Sequence, residues 1–363
     1  MGAELLATIL IAAGGTGGHL FPGIAVADEL VRRDAGARVV FAGTPRGLES
    51  RLVPRAGYAL ALLPILPLNG VGLARLLKGL LVLPWGLLKS ALLVLRLRPT
   101  AVLGIGGYAG GPVTLLAALL GVRAVILEPN ARPGFTNRVL GPFVDAAACA
   151  YDEARASFGT KGVLTGNPVR GGFALLPARP PQQPATLLAF GGSQGSRVLN
   201  QALVAALPKL PGSDRLRIVH QTGPAMRDEV EAAYRAAKRP GEVVAFLDDM
   251  ERRFGDADLV LSRSGATTCA ELAAAGRPAI LVPFAGAADD HQTTNARALE
   301  AQGAARVIEE PALTGESLAK AVSELVAAPH TLAAMGAAAR RLGRPDAAAR
   351  VADLLLDPGG ACA

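Results

Sequence analysis

The sequence predicts an α/β chain built as two Rossmann-like parallel-sheet domains facing a cleft, and three observations predict it. The first is a pair of glycine-rich turns half a chain apart. Thr8-Ile9-Leu10-Ile11-Ala12-Ala13 runs into Gly14-Gly15-Thr16-Gly17-Gly18-His19, and Thr186-Leu187-Leu188-Ala189-Phe190 runs into Gly191-Gly192-Ser193-Gln194-Gly195-Ser196. In each, an apolar strand closes in glycines and a helix opens, so backbone can approach a ligand while unpaired N–H groups point at a phosphate. The second is the alternation of short β-branched or Leu-rich runs with Ala-rich helical stretches, the pattern of buried parallel strands. The third is length, since 363 residues suffice for two domains with a full core each.

Taken in order, the first half predicts a strand at Thr8–Ala13, a helix over Pro22–Arg33, a strand at Arg38–Ala42 and a helix near Leu48–Ala56. A long aliphatic region follows, then strands at Ala101–Leu103 and Ala124–Leu127 with a helix between them. Repeated βα units of this kind form parallel sheets through right-handed crossovers. Pro and Gly crowd around Gly166-Asn167-Pro168-Val169-Arg170 and again through Pro177–Pro184, which marks a domain boundary. The expected domains are therefore 1–166 and 167–342; the last helical stretch could pack on either, and a C-terminal helix within 343–363 is expected to return to the first. The second half predicts strands at Thr186–Phe190, Arg215–His220, Glu242–Phe246, Leu259–Leu261 and Ala279–Val282, and a last helix over Pro345–Leu356.

Lys and Arg outnumber Asp and Glu by 37 to 30, a net charge of +7. Such a balance suits an acidic partner: nucleic acid, anionic lipid or a phosphorylated substrate. Aromatic residues nowhere interleave with basic ones, so a stacking platform for nucleic acid is not expected. Cys149, Cys269 and Cys362 show neither pairing nor metal spacing, which points to a reducing compartment. No charged segment with a cleavage site precedes the first strand, so no secretory signal is expected.

The stretch Leu73–Leu97 carries Arg75, Lys78, Lys89 and Arg96, with Pro84 and Gly86 in its middle, which disfavours a membrane span. Two readings of it stand side by side. One is a pair of amphipathic helices separated at Pro84, with leucine faces in the core. The other is a surface patch of Leu76, Leu80, Leu81 and Trp85 that dips into lipid inside a ring of basic side chains.

A dinucleotide-dependent dehydrogenase is the obvious competitor for the glycine turns. Its fingerprint needs Gly-x-Gly-x-x-Gly and an acid closing the second strand. After Gly15 and Gly17 the next required position is Leu20, and the second strand ends Val40-Phe41-Ala42-Gly43 without an acid. Gly104-Ile105-Gly106-Gly107-Tyr108-Ala109, with Glu128 near the acidic position, matches only a permissive version.

In the second half, Ser262-Arg263-Ser264-Gly265-Ala266-Thr267-Thr268-Cys269-Ala270-Glu271 follows a predicted strand. Small and hydroxyl residues there open a helix whose N-terminus meets phosphate, with Glu271 one turn in and placed to accept ribose hydroxyls. The alternative is ordinary capping by Thr267 or Thr268, with Glu271 as the reciprocal partner. Asp289-Asp290-His291-Gln292-Thr293-Thr294-Asn295 either grips sugar hydroxyls or caps a solvent-facing helix.

Several motifs in this order resemble the MurG family, the bacterial N-acetylglucosaminyltransferases that convert lipid I to lipid II in peptidoglycan synthesis. They are Gly14 to Pro22, Gly106-Gly107-Tyr108-Ala109-Gly110-Gly111-Pro112, Gly166 to Arg170, Gly191 to Gly195 and His220-Gln221-Thr222-Gly223. Asp248-Asp249-Met250, Arg263 to Glu271, and Gln292 to Asn295 complete the set. One departure stands out: the family's usual His-Glu-Gln-Asn is Leu127-Glu128-Pro129-Asn130 here.

The resemblance implies a GT-B glycosyltransferase fold and a cytoplasmic enzyme, peripheral on the inner membrane, taking UDP-N-acetylglucosamine as donor and lipid I as acceptor. It implies no cofactor or required metal, an anionic membrane surface as partner, and cell-wall synthesis or division proteins as further partners. Ser193 and the loop around it would face the donor diphosphate, and Arg170 and the backbone of Leu247 would flank the uridine. Ala266, Thr267, Thr268, Cys269, Ala270 and Glu271 would hold diphosphate and ribose, and Gln292 would read the sugar. Thr16, Gly17, Gly18 and Asn130 would approach from the first domain, with His19 as general base and Glu128 as the other candidate. A related transferase acting on another lipid or natural product, and a non-catalytic nucleotide-sugar sensor, are the competing functions.

Overall fold

The computed structural model describes residues 7–14, 17–45, 47–66, 73–192, 194–287 and 290–356; the side chains of residues 73–78, 80, 108 and 109 stand outside that description. The chain divides into two compact units, residues 1–170 with 344–363, and residues 171–343.

The first unit opens with β1 (Thr8–Ala12), α1 (Gly17–Arg33), β2 (Arg38–Gly43), α2 (Glu49–Arg55), β3 (Ala59–Leu62) and α3 (Leu73–Leu97). It continues through β4 (Ala101–Gly104), α4 (Gly107–Leu119), β5 (Arg123–Glu128), α5 (Phe135–Leu140), β6 (Ala146–Cys149), α6 (Asp152–Ser157) and β7 (Gly162–Leu164). Its seven strands are all parallel, in the order β3-β2-β1-β4-β5-β6-β7. Alternate residues of each strand face opposite sides. Ile9 and Ile11 join Leu20, Leu30, Phe41 and Leu103 in a core on one side. Leu10 and Ala12 join Val40, Val94, Val102 and Val113 on the other.

The second unit runs α7 (Gly171–Ala174), β8 (Ala185–Phe190), α8 (Arg197–Ala206), β9 (Leu216–Gln221), α9 (Arg227–Ala236), β10 (Glu242–Val244) and α10 (Met250–Asp256). Then come β11 (Leu259–Ser262), α11 (Ala266–Ala275), β12 (Ala279–Leu281), α12 (His291–Ala301), β13 (Ala305–Val307), α13 (Gly315–Val326) and α14 (Pro329–Leu342). Its six strands are parallel in the order β10-β9-β8-β11-β12-β13. The last helix, α15 (Ala347–Leu356), belongs to the first unit. There Val351 and Leu355 enter the Ile9–Ile11 core, Arg33 bonds Asp353 and the Ala349 carbonyl, and Arg123 Nε donates to the Leu354 carbonyl at 2.7 Å.

Two sequence expectations need correction. The first helix begins at Gly17, five residues before the expected Pro22, with the proline inside its second turn. Pro22 gives up the bond its N–H would make to the Gly18 carbonyl, and the helix runs through it. Leu73–Leu97 is one helix of 25 residues rather than two, with Pro84 accommodated inside it. Along it Leu81 is 82% exposed, Trp85 52% and Leu88 49%, and Lys89 Nζ lies 4.8 Å from the centre of the Trp85 ring. Leu76, Leu80 and Lys78 fall among the side chains outside the description. Among the described residues, no helix is long and apolar enough to cross a membrane.

Candidate active site

In each unit the strand order reverses direction at one place, between β1 and β4 and between β8 and β11. In open parallel sheets, ligands bind beyond the carboxyl ends of the strands at such switch points. Both glycine turns sit there.

In the first unit, Gly17, Gly18 and His19 form the first turn of α1, while Thr16 lies outside the described residues. The β4–α4 turn comes close on its other side. Gly106 and Gly107 have φ of +78° and +71°, a region open to glycine at little cost. A Cβ at Gly107 would lie 2.6 Å from the Gly14 carbonyl and 3.4 Å from His19 Nδ1; one at Gly106 would lie 3.7 Å from His19 Nε2. Two side-chain-free residues thus make room for the half-buried imidazole.

Glu128, at the end of β5, is 1% exposed. Its Oε1 accepts from the Asn130 N–H at 3.0 Å and from Asn130 Nδ2 at 3.1 Å. Its Oε2 accepts from the Gly134 N–H and from Asn137 Nδ2, both at 2.9 Å. Burial pushes the carboxyl above its ordinary pKa, and these four donors work against that rise. The carboxylate therefore ties the 129–137 loop to the sheet. Leu127 is fully buried in the α1-side core, so the departure from the family pattern places an apolar side chain there.

Asn137 is the residue that sequence reasoning missed. Its Nδ2 also donates to the Leu127 carbonyl at 2.9 Å. Its Oδ1 is buried without a partner among the described residues and would lie 3.7 Å from a Cβ at Gly106, as His19 Nε2 would. Its place inside a short helix gives no sequence signal of this. At the end of the unit, the Arg170 guanidinium stacks over the Phe21 ring of α1 at 4.6 Å.

In the second unit the 191–195 loop is held by backbone contacts only glycine permits. Gly192 and Gly195 have φ of +92° and +76°, and Gly223, opposite, +80°. A Cβ at Gly195 would sit 1.9 Å from the Thr222 carbonyl. Gln221 Nε2 donates to the Gly192 carbonyl at 3.0 Å, and its Oε1 accepts from the buried Leu247 N–H at 2.9 Å, so one side chain ties the glycine loop to the segment at Leu247. Ser196 caps α8 with its hydroxyl; Ser193 lies outside the described residues.

Behind the loop, Asn200 Nδ2 donates to the Thr222 carbonyl at 2.8 Å. Its Oδ1 is 3.1 Å from His220 Nε2, and His220 Nδ1 is 3.3 Å from the Tyr234 hydroxyl. Because Asn200 uses its amide nitrogen elsewhere, the network assigns the proton to His220 Nε2 and makes Nδ1 the acceptor. Burial pulls the pKa of His220 down to about 4, which fits a neutral ring.

The N-cap of α11 is Gly265, with no side-chain cap. Thr267 and Thr268 are inside the first turn, so the alternative of a threonine cap with Glu271 as its partner does not form. The first N–H groups of the helix, from Ala266 onward, have no acceptor within the helix, the arrangement that suits an anion. Cys269 is buried, and burial pushes its thiol up to about 12, so it is no nucleophile. Glu271 is buried one turn further on.

Arg263 donates to Glu310 at 2.7 Å and to the carbonyls of Val282 and Pro283. Gln292 Oε1 accepts from the Phe284 N–H at 3.0 Å, and its carbonyl accepts from the Ser264 hydroxyl at 2.8 Å. These bonds tie α12 to the β11–α11 turn. Asn295, fully buried, donates to the Ser264 carbonyl at 3.3 Å as part of the same brace. Asp249 is held by Arg252 and Arg253 in ion pairs, and Asp289 lies outside the described residues.

Two parallel sheets, each with a glycine-lined turn and a helix N-terminus at its switch point, make two α/β units of nucleotide-binding type. The family model described as glycosyltransferase family 28 N-terminal domain matches residues 9–149, and that of the C-terminal domain matches residues 186–351. The chain is 48% identical over 350 residues to a protein of Anaeromyxobacter sp., covering 95% of this chain and 92% of the relative. It is 47% identical over 353 residues to one of Myxococcus xanthus, covering 96% and 92%. Both relatives are named UDP-N-acetylglucosamine--N-acetylmuramyl-(pentapeptide) pyrophosphoryl-undecaprenol N-acetylglucosamine transferase. The crystal structure of Acinetobacter baumannii MurG superposes with a TM-score of 0.77 at 31% identity, covering 96% of this chain and 99% of that one. The chain belongs to glycosyltransferase family 28 and, within it, to the MurG family.

Proposed function

We propose that this enzyme transfers N-acetylglucosamine, with inversion, from UDP-N-acetylglucosamine to the C4 hydroxyl of the muramoyl sugar in lipid I, giving lipid II. The observation that carries the reading is the pair of switch-point sites, one anion-type turn per unit, in a chain nearly half identical to relatives of that name. The second unit takes the donor. Its glycine loop with Ser193 and the α11 N-terminus, Ala266 to Ala270, meet the diphosphate, and Glu271 accepts from the ribose. The Leu247 backbone flanks the base, and Gln292 reads the sugar. Backbone N–H groups fixed before reaction stabilise the charge that develops on the leaving UDP, so the reading requires no metal or organic cofactor.

The first unit takes the acceptor pyrophosphate on Thr16, Gly17 and Gly18. His19, at the opening of α1, removes the proton from the attacking hydroxyl. Glu128 holds Asn130 and Asn137 in place beside it. Helix α3 rests on the cytoplasmic face of the inner membrane, with Leu81, Trp85 and Leu88 in the interface and Lys89 and Arg96 near anionic headgroups. Each basic group there contributes about 1 kcal/mol.

The test is transfer of radiolabelled N-acetylglucosamine from UDP to a lipid I analogue, with UDP-glucose and UDP-galactose as controls. Label should appear in lipid II from the first donor alone. No transfer to the analogue, or equal transfer from the control donors, rejects the reading.

A further inference from the structure

The second unit holds a cavity of about 580 Å³ at the edge of its sheet opposite the glycine loop, below the start of β11 and β12. Four arginines are among its lining residues, Arg179, Arg277, Arg340 and Arg341; Asp258 is the one carboxylate there among the described residues. The remaining wall is mostly apolar, with Pro180, Pro181, Ala333 and Ala337 at its surface. A volume of this size suits a small molecule.

The capping of chain ends accounts for part of this charge. Arg277, 2% exposed, donates to the carbonyls of Phe254, Pro177 and Gly255. Arg340 Nη2 donates to the carbonyls of Leu176 and Ala275. Arg179 pairs with Asp258 at 3.0 Å, and that carboxylate also accepts from the Gln182 and Thr186 N–H groups. Arg340 Nε and Nη1 and the whole exposed head of Arg341 have no acceptor among the described residues. Asp256, the other acid nearby, is exposed and has Arg252 at 4.0 Å. The cavity therefore carries more positive charge than its own acids balance. Burial, together with the charges of Arg340 and Arg179, pulls the pKa of Arg277 down to about 10.

We propose that this cavity binds a small phosphate-bearing molecule with a compact apolar body. The phosphate lies across Arg340 and Arg341, and the apolar part rests on Pro180, Pro181, Ala333 and Ala337. A guanidinium fork matches phosphate geometry with paired N–H donors, and an anion there offsets the mutual repulsion of the arginines. The cavity is separate from the donor site. Gly276, at its wall, ends α11, and the N-terminus of that ten-residue helix is the proposed diphosphate site, about 15 Å away at 1.5 Å per residue.

Calorimetric titration of the full chain, saturated with UDP, with phenyl phosphate as probe tests this. Phenyl phosphate should bind at one site at least fivefold more tightly than inorganic phosphate or benzyl alcohol. Arg341→Glu should weaken it at least tenfold, and Ala333→Trp, which fills the cavity without changing charge, should do the same. Both positions are exposed, so the thermal midpoint should stay unchanged. Absence of phenyl phosphate binding, or equal binding of inorganic phosphate, overturns the proposal. So does an affinity that neither substitution moves.

Discussion

The buried His220 makes the second unit sensitive to acid by an amount that follows from its surroundings. In the unfolded chain the imidazole titrates near 6.5; in the fold, burial lowers that to about 4. The unfolded state therefore binds a proton first. The contribution of the neutral ring is complete above pH 6.5 and is lost as pH falls toward 4, at about 1.4 kcal/mol per pH unit. Between pH 7 and pH 5 this amounts to about 2 kcal/mol. His220→Gln keeps a polar group beside Asn200 and removes the titration. Hydrogen exchange of the β9 amides, read by mass spectrometry and corrected for intrinsic rates, gives the opening free energy of the unit in both proteins at both pH values. The wild-type chain should lose about 2 kcal/mol more than the variant on acidification. Equal losses would refute the assignment of a neutral, unprotonated His220.

Four further outcomes follow from the site. Gly195→Ala places a Cβ 1.9 Å from the Thr222 carbonyl at a φ of +76°; left-handed strain of about 1–2 kcal/mol and a displaced loop should weaken UDP binding at least tenfold by calorimetry, and unchanged affinity contradicts the loop's role. His19→Ala should lower kcat by roughly 10²–10⁴ with UDP-N-acetylglucosamine affinity unchanged; undiminished transfer removes His19 as base. Glu128→Gln turns an amide N–H₂ toward N–H donors, and at about 1.5–3 kcal/mol per charge-assisted bond should destabilise the first unit by about 2–3 kcal/mol, net of the relieved charge burial. Urea unfolding followed by fluorescence of Trp85, the single tryptophan of the chain, reads that unit, and an unshifted midpoint counts against the loop anchor. Replacing Lys78, Lys89 and Arg96 together by Glu should abolish co-sedimentation with anionic vesicles; retained binding rejects the α3 membrane contact.

The apolar strands at the centre of each sheet were legible because burial on both faces leaves a continuous hydrophobic run, as in β1, β4, β5, β8 and β11. The edges were not. β3 is exposed or half-exposed along its length, β6 is Ala-Ala-Ala-Cys with no β-branched residue, and β7 and β13 have three residues each. Pro22 and Pro84 misled for one reason: a proline removes a single helical bond, and the packing of α1 and α3 tolerates the loss. At the site, glycine turns and hydroxyl-rich helix starts are visible in sequence because their chemistry is local. The partners of Glu128, the brace of Gln221 between Gly192 and Leu247, and the four arginines of the lower cavity come from distant segments, and no spacing rule gathers them.

The return of α15 to the first unit has a consequence for biogenesis. Residues 171–343 are contiguous, so the second unit is made without interruption. Part of the first unit precedes it, yet Val351 and Leu355 of that unit's core follow the whole second unit in sequence. On the ribosome the N-terminal sheet waits with an open apolar flank while the second unit is made, so a chain cut short before residue 347 carries a finished second unit joined to an unfinished first.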